Sequence, residues 1–340
     1  MDVRAARSPA MTDVAKLAGV SHQTVSRVLN DHPNVREQTR LRVRAAIAEL
    51  GYRPNRAARA LVTGRSQLIG VVAQNTTLYG PASLLAAFEQ AAAETGFAVS
   101  VGSVSRLDRE SIAAAVDRHL DQRVAGLVVI APVASAVEAL EGMPADVPLV
   151  TIDGDPARSQ ALVTVDQAAG ARLATELLLA AGHRTVWHVS GPPDWYDAAG
   201  RIQGWRAALV DAGAEVPPMV AGEWSPSSGY DAGRMLARMP EVTAIFTAND
   251  AQALGLLRAL HEHGLRVPED VSVVGFDDVP EASFFIPPLT TVRQAFDEVA
   301  HAGLGLLLKQ ISQRAGQVPE QVVIAPTLVE RASVGRPRSV

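Results

Sequence analysis

From Gln67 onward the chain alternates between two hydrophobic rhythms, and few folds accept that alternation. Unbroken apolar runs, LIGVVA (68–73), AVSVGSV (98–104), GLVVIA (126–131) and PLVTID (148–153), are separated by amphipathic stretches such as 82–95 and 108–122. The beat resumes in TVWHVSG (185–191), TAIFTAND (243–250) and VSVVGFDD (271–278). A strand covered on both faces reads as a continuous apolar run, and a helix between successive strands makes the sheet parallel. The span 67–333 is long for one sheet and predicts two lobes. Ligands of open α/β sheets sit beyond the carboxyl ends of the strands. Polar clusters stand at those ends here: Asp153, Asn249–Asp250 and Asp277–Asp278.

The first 65 residues follow a different rhythm. In MTDVAKLAGVSHQTVSRVLN (11–30), Val14, Leu17 and Ala18 recur at helical spacing, and Gly19 breaks the pattern and supplies a turn. Ser21 then stands where a helix cap belongs, with Val25, Val28 and Leu29 as the apolar face of a second helix. A third helix is expected over about 36–50, facing inward with Val43, Ile47 and Leu50 and ended by Gly51. Two short amphipathic helices around a tight turn make a helix–turn–helix, although a plain helical hairpin has the same pattern. The second helix presents His22, Gln23, Ser26 and Arg27 near its start, where a recognition helix meets base edges. Gln pairs bidentately with adenine and Arg with guanine. Ser21, Thr24, Asn30 and Thr39 are short polar groups suited to phosphate oxygens, and Asn34 is a further DNA-binding candidate.

Charge is distributed in the same two parts. Residues 1–65 hold 12 of the 31 Lys and Arg against 5 of the 36 Asp and Glu, a balance of +7; the remainder, 19 against 31, carries −12. A basic head on an acidic body points to a polyanion met by the head alone. With no cysteine, the chain has no disulfide framework, thiol nucleophile or Cys-based zinc site. No stretch approaches the ~20 apolar residues of a membrane span. MDVRAARSPA has no apolar signal region, so the chain is expected in the cytoplasm. Phosphate-loop, nucleophile-elbow and zinc-protease motifs are absent, and His261 and His263 point apart on one helix. His183 falls in a helix-to-strand loop and reads as structural. No catalytic residue, metal or cofactor is expected.

The segment DVAKLAGVSHQTVSRVLN resembles, nearly residue for residue, the N-terminal signature of the lac repressor family. GYRPNRAARALVTGRS (51–66) resembles that family's hinge, with Asn55 capping a short helix 55–63, Arg56 on the DNA side, and Leu61 as the wedge into the minor groove. GEWSPSSGY (222–230), TANDAQALG (247–255), IPPLTTVRQAF (286–296) and RIQGW (201–205) resemble the family's effector-contact segments. The resemblance implies an all-α helix–turn–helix head and a two-lobed, periplasmic-binding-protein-like α/β body of parallel sheets flanked by helices. It implies a tail over 1–10, a head over 11–53, a hinge over 54–66, a body over 67–333 and a tail over 334–340. Within the body, 67–163 with 293–321 form one lobe, and 164–292 with 322–333, including a strand near 323–333, form the other. Two departures stand out: Ala10 and Arg36 occupy positions where relatives often carry a Ser or Thr cap, so helix 1 is expected to start at Thr12, with Arg36 turned to phosphate.

Carried onto this chain, the resemblance assigns effector contacts to Asp153, Asp197, Arg201, Trp224, Asn249, Asp277, Gln294 and Phe296, with Leu78, Pro81 and Leu84 as an apolar wall. Such a set suits a sugar: carboxylates accept from hydroxyls, a guanidinium fork bridges neighbouring ones, and an indole covers a C–H face. The implied function is a homodimeric repressor of sugar-utilisation genes, released from a palindromic operator by a galactoside or other glycoside. The chain ends without the leucine heptads that tetramerise the family's namesake, hence the expected dimer. Two readings stand beside it: the same regulator with a purine or phosphosugar effector, as inducer or corepressor, and a sugar-transport binding protein.

Overall fold

The computed structural model describes residues 9–29, 32–52, 66–74, 77–106, 108–130, 132–140, 143, 147–313 and 319–338. They fall into two compact units, one up to Ser66 and one from Gln67. Asn30, Asn55, Arg56, Leu61 and the expected hinge helix lie outside the described residues.

In the first unit, α1 (Met11–Ala18), α2 (His22–Leu29) and α3 (Glu37–Leu50) enclose a core of Val14, Ala15, Ala18, Val25, Val28, Val43, Ala46 and Tyr52. Helix α1 begins at Met11, one residue before the expected Thr12. The Asp13 carboxylate accepts the Ala10 N–H at 2.8 Å, and this contact closes the first turn although Ala10 has no capping side chain. Gly19 ends α1 in the left-handed conformation (φ 62°), which starts the turn into α2. Ser21 caps α2, its hydroxyl accepting the Thr24 N–H at 3.1 Å. Arg36 occupies the N-cap position of α3 without a side-chain cap bond.

The second unit holds two sheets. The first contains β1 (Leu68–Gln74), β2 (Ala98–Val104), β3 (Gly126–Ile130), β4 (Leu149–Ile152), β5 (Ala161–Val165) and β10 (Glu320–Ile324), in the order β10-β5-β4-β3-β1-β2, with all pairs parallel. Helix α4 (Tyr79–Glu94) packs on one face together with α11 (Phe296–Gln313). Helices α5 (Arg109–Asp121) and α6 (Ala134–Leu140) cover the other. The second sheet contains β6 (Trp187–Val189), β7 (Ala244–Thr247), β8 (Ser272–Asp277), β9 (Thr290–Arg293) and β11 (Thr327–Val329), parallel except for β11 against β9. Helices α7 (Gln167–Ala180) and α8 (Tyr196–Asp211) cover one face, and α9 (Pro226–Leu236) and α10 (Asp250–Glu262) the other.

The chain crosses between lobes after β5, after β9 and between β10 and β11. The third crossing differs from expectation: the single strand near 323–333 is two strands, and residues up to Ile324 belong to the first sheet. The Asp166 N–H bonds the Ile324 carbonyl at 2.9 Å, holding β10 at that edge. Pro326, which has no N–H to offer a ladder, stands at the switch to β11. The C-terminal residues 334–338 are likewise no free tail. The Gly335 N–H donates to Ser272 Oγ at 3.0 Å, the Gly335 carbonyl meets His183 Nε2 at 3.1 Å, and Arg338 reaches the Pro240 carbonyl. His183 also bonds Thr243 and Ser272, so its part is structural. Among the described residues no helix is long and apolar enough to cross a membrane.

Candidate functional site

The head has one polar surface with a common origin. Burying Val25 and Val28 against α1 and α3 turns the opposite side of α2 outward. Ser21, His22, Gln23 and Arg27 are exposed there, with Thr24 and Ser26 half-buried beside them. The Ser21 and Thr24 hydroxyls lie 2.9 Å apart. Asn34 is exposed, its N–H donating to His32 Nδ1 at 3.2 Å, and Thr39 is half-buried in the first turn of α3.

In the body, the strand ends gather a second cluster. Asp153 follows β4 with φ 56°, Asp277 ends β8 with φ 110°, and Asn249 follows β7 as the cap of α10. Arg201, on the second turn of α8, is 2% exposed. Its Nε donates to Gln167 Oε1 at 2.9 Å and its Nη1 to the Ala248 carbonyl. Gln167 Nε2 donates to Gln294 Oε1 at 2.9 Å, and Gln294 Nε2 donates to Asp277 Oδ1 at 2.7 Å. Asp277 Oδ1 in turn lies 4.0 Å from Arg201 Nη2, as does Asp197 Oδ2. Arg201, Gln167, Gln294 and Asp277 thus close a ring drawn from α7, α8, β8 and the link between β9 and α11.

Aromatic faces bound this ring. The guanidinium lies 3.9 Å from the Phe276 ring centre and 5.4 Å from that of Trp224. Trp224 meets Trp195 edge-on at 5.5 Å, and its buried Nε1 has no hydrogen-bond partner. The Trp224 carbonyl accepts from Asn249 Nδ2 at 3.2 Å, and Asn249 Oδ1 accepts the Gln252 N–H at 2.8 Å. Gln252 Nε2 then bonds the carbonyls of Ser190 and Glu223, each at 2.8 Å, tying the end of β6 to the Trp224 loop. The first lobe approaches through the segment just before α6, and within that lobe α4 meets α11. Tyr79 meets Phe296 edge-on at 6.0 Å, Val133 bridges to Trp195, and the Tyr196 N–H bonds the Pro132 carbonyl at 2.8 Å.

Burial dominates the electrostatics here. It pushes Asp277 up to about 6, against the pull of Arg201 and the Gln294 bond. Burial also raises Asp197, opposed by Arg201. Asp153, half-buried and bonded by Thr164 Oγ1 at 3.3 Å, is raised well above the ordinary carboxylate range by burial and then by the charge of Asp197. Three carboxylates therefore share one guanidinium.

The structure brings Asp197, Arg201, Trp224, Asn249, Asp277 and Gln294 into one network, with Asp153 coupled to it through Asp197. Phe296 stands beside Tyr79 at the start of α11. Leu78 and Pro81 are half-buried at the N-terminus of α4. Leu84, at 1% exposed, belongs to the core of the first lobe together with Phe88. Sequence reasoning passed over Gln167, Tyr79, Phe276 and Gln252. No local pattern marks them, because each acquires its part from a partner between 34 and 217 positions away in the chain. Among the described residues, no group of three His, Cys, Asp or Glu is arranged to hold a metal ion.

A helix–turn–helix unit joined in sequence to a two-sheet α/β unit with a polar cluster at its strand ends defines a class, and comparison with known proteins agrees. Residues 10–55 match the model of bacterial regulatory proteins of the lacI family, and residues 175–334 match a periplasmic binding protein-like domain. The chain is 38% identical to the lactose operon repressor of Escherichia coli (strain K12) over 330 residues, 96% of this chain and 91% of that protein. It is 34% identical to the ribose operon repressor of the same organism, covering 95% and 99%. The crystal structure of the lac repressor dimer bound to operator and the anti-inducer ONPF superposes with a TM-score of 0.87 at 35% identity, covering 97% of this chain and 100% of that one. The chain belongs to the lacI family of bacterial regulatory proteins. It is a DNA-binding transcriptional repressor, not an enzyme.

Proposed function

We propose that this repressor controls sugar-utilisation genes and leaves its operator when a glycoside enters the body. The observation that carries this reading is the Arg201–Gln167–Gln294–Asp277 ring, with Asn249 beside it and the Trp224 indole against Arg201. Convergent donors and acceptors next to an aromatic face are what a pyranose needs: hydroxyls bond the polar groups, and the C–H face rests on the indole. Asp153 and Asp197 add acceptors, and Leu78, Pro81 and Phe296 add apolar surface from the first lobe.

Division of labour follows the chain order: residues 11–53 read DNA, 54–66 form the hinge, and 67–333 bind the effector and dimerise. On the head, Gln23 and Arg27 read base edges with His22 and Ser26 beside them. Ser21, Thr24, Asn34 and Thr39 bind phosphates, joined by Asn30, Asn55 and Arg56, and Leu61 wedges the minor groove. Two heads on a two-fold dimer require a near-palindromic site. The dimer reading is supported by two large apolar side chains on the second lobe, Phe284 and Ile286, which are 83% and 94% exposed. A sugar shifts the operator equilibrium only through a difference in its affinity for the DNA-bound and free conformations.

The test is a mobility-shift titration against the DNA upstream of the chain's own gene, with a panel of galactosides, glucosides and nucleobases. Release by one sugar is expected. An Asp277→Ala protein is expected to hold the operator and ignore that sugar; release equal to the parent's overturns the pocket assignment.

A further inference from the structure

Among the described residues, the pocket just described holds more carboxylates than cations to balance them. Arg201 serves Asp197 and Asp277 with a single nitrogen, Nη2, at 4.0 Å from each. Its other two nitrogens are already spent on Gln167 and on the Ala248 carbonyl. The guanidinium is also covered by the Phe276 and Trp224 rings. The neighbouring carboxylate, Asp278, is treated differently: Arg293 Nε and Arg331 Nη2 each lie 2.6 Å from one of its oxygens. Those two arginines are committed there, and Arg331 also donates to the Leu289 carbonyl. Asp153, Asp197 and Asp277 are thus left with one cation among three.

A guanidinium whose Nε and Nη1 already donate within the protein, and whose Nη2 faces two carboxylates, is a poor receptor for an incoming anion. Burial favours the neutral form of Asp153, so Asp197 and Asp277 against Arg201 leave one negative charge in excess; a unit of repulsion across about 6 Å at an effective dielectric near 20 weakens anion binding by ~100-fold. Hydroxyls meet no such barrier, because each carboxylate accepts from them in either protonation state.

We propose that Asp197 makes this site a charge filter: the effector is an uncharged glycoside, and sugars bearing a carboxylate or phosphate are refused. This rests on the reading of the Arg201 cluster as the effector pocket. Asp197 is the deciding residue because it sits one turn before Arg201 on α8 and divides that cation's attention with Asp277. Between the sugar and phosphosugar readings of the repressor, it selects the first.

The test measures binding to the full-length protein by isothermal calorimetry and by tryptophan fluorescence, which Trp195 and Trp224 report. The probes are lactose, cellobiose, and phenyl β-D-galactoside and β-D-glucoside, each phenyl glycoside paired with its uronide and its 6-phosphate. A uronide differs from its parent only in carrying a carboxylate at C6, so size is held constant. We expect a neutral probe to bind and its uronide and 6-phosphate to bind at least ~30-fold more weakly. In Asp197→Asn, and again in Asp197→Ser, the ratio of uronide to neutral dissociation constants is expected to fall by about tenfold. A uronide or phosphate that matches or beats its neutral parent overturns the charge filter while leaving the pocket reading standing. A wild-type preference left unmoved in both variants overturns the part given to Asp197. Failure of every probe, neutral and charged, to bind overturns the pocket reading itself.

Discussion

Asp250 shows how far a single residue's chemistry is set by its surroundings. Its Oδ2 accepts the Val279 N–H at 2.9 Å and its Oδ1 the Thr291 hydroxyl at 2.6 Å, with the residue wholly buried. Burial, and then the charge of Asp277, push it up to about 8 from its ordinary 3.8. Between those values the folded chain binds a proton that the unfolded chain does not, so stability falls as pH rises. The contribution is complete below about pH 4 and is lost as pH passes through about 8; Asp277, at about 6, acts in the same direction. The melting temperature is therefore expected to decline from pH 5 to pH 8, and Asp250→Asn to flatten that decline. Thermal melts across this range check it, and a melting temperature that rises equally in both proteins excludes a buried, protonated Asp250.

Helices α7 and α8 form an element whose spacing decides the site. A Cβ on Gly204 would lie 2.0 Å from the Ala168 carbonyl oxygen, so the two backbones touch at that point. One turn earlier on α8, Arg201 reaches Gln167 on α7 at 2.9 Å, a distance that depends on the same close approach. Gly204→Ala must push the helices apart. It is expected to destabilise the body by about 1–3 kcal/mol, as overpacking does, and to weaken the sugar response with it. Urea denaturation and the mobility-shift titration measure the two effects; an unchanged midpoint would show that the helices can slide without loss. Sequence periodicity could place both helices, but the contact of two backbones 36 positions apart leaves no trace in either helix alone.

For the whole molecule, DNA affinity and assembly are linked. A head carrying +7 on a body carrying −12 is expected to meet phosphate through the head alone. Each displaced counterion steepens the dependence on salt, so operator affinity is expected to fall at least ~100-fold between 50 and 200 mM salt. A flat response in filter-binding or anisotropy titrations contradicts the head assignment. Ile286→Asp, which places a charge at the most exposed apolar residue of the second lobe, is expected to give monomers by sedimentation and to lower operator affinity in parallel. A dimer that survives the change moves the interface elsewhere.

The parts of this protein legible from its amino acids are those governed by neighbours in sequence. The helix–turn–helix follows from apolar residues three and four apart, a cap at Ser21 and a left-handed glycine at position 19. Likewise, seven of the eleven strands announce themselves as apolar runs between helices. Of the other four, β5 (ALVTV) follows β4 with no helix between them to mark the alternation, β9 (TTVR) is polar at three of its four residues, and β10 and β11 read as one strand until Pro326 sends its two halves to different sheets. The cluster's members were in part legible, because strand ends in a parallel sheet collect polar residues whatever the fold's details. Their bonding was not. Gln167 joins Arg201 to Gln294 across 127 residues, the C-terminal residues 334–338 pack under β8, and Asp153, Asp197 and Asp277 share one guanidinium. Local spacing sets backbone conformation through short-range sterics and hydrogen bonds. Burial and charge balance depend on which distant segments meet, and only the tertiary structure decides that.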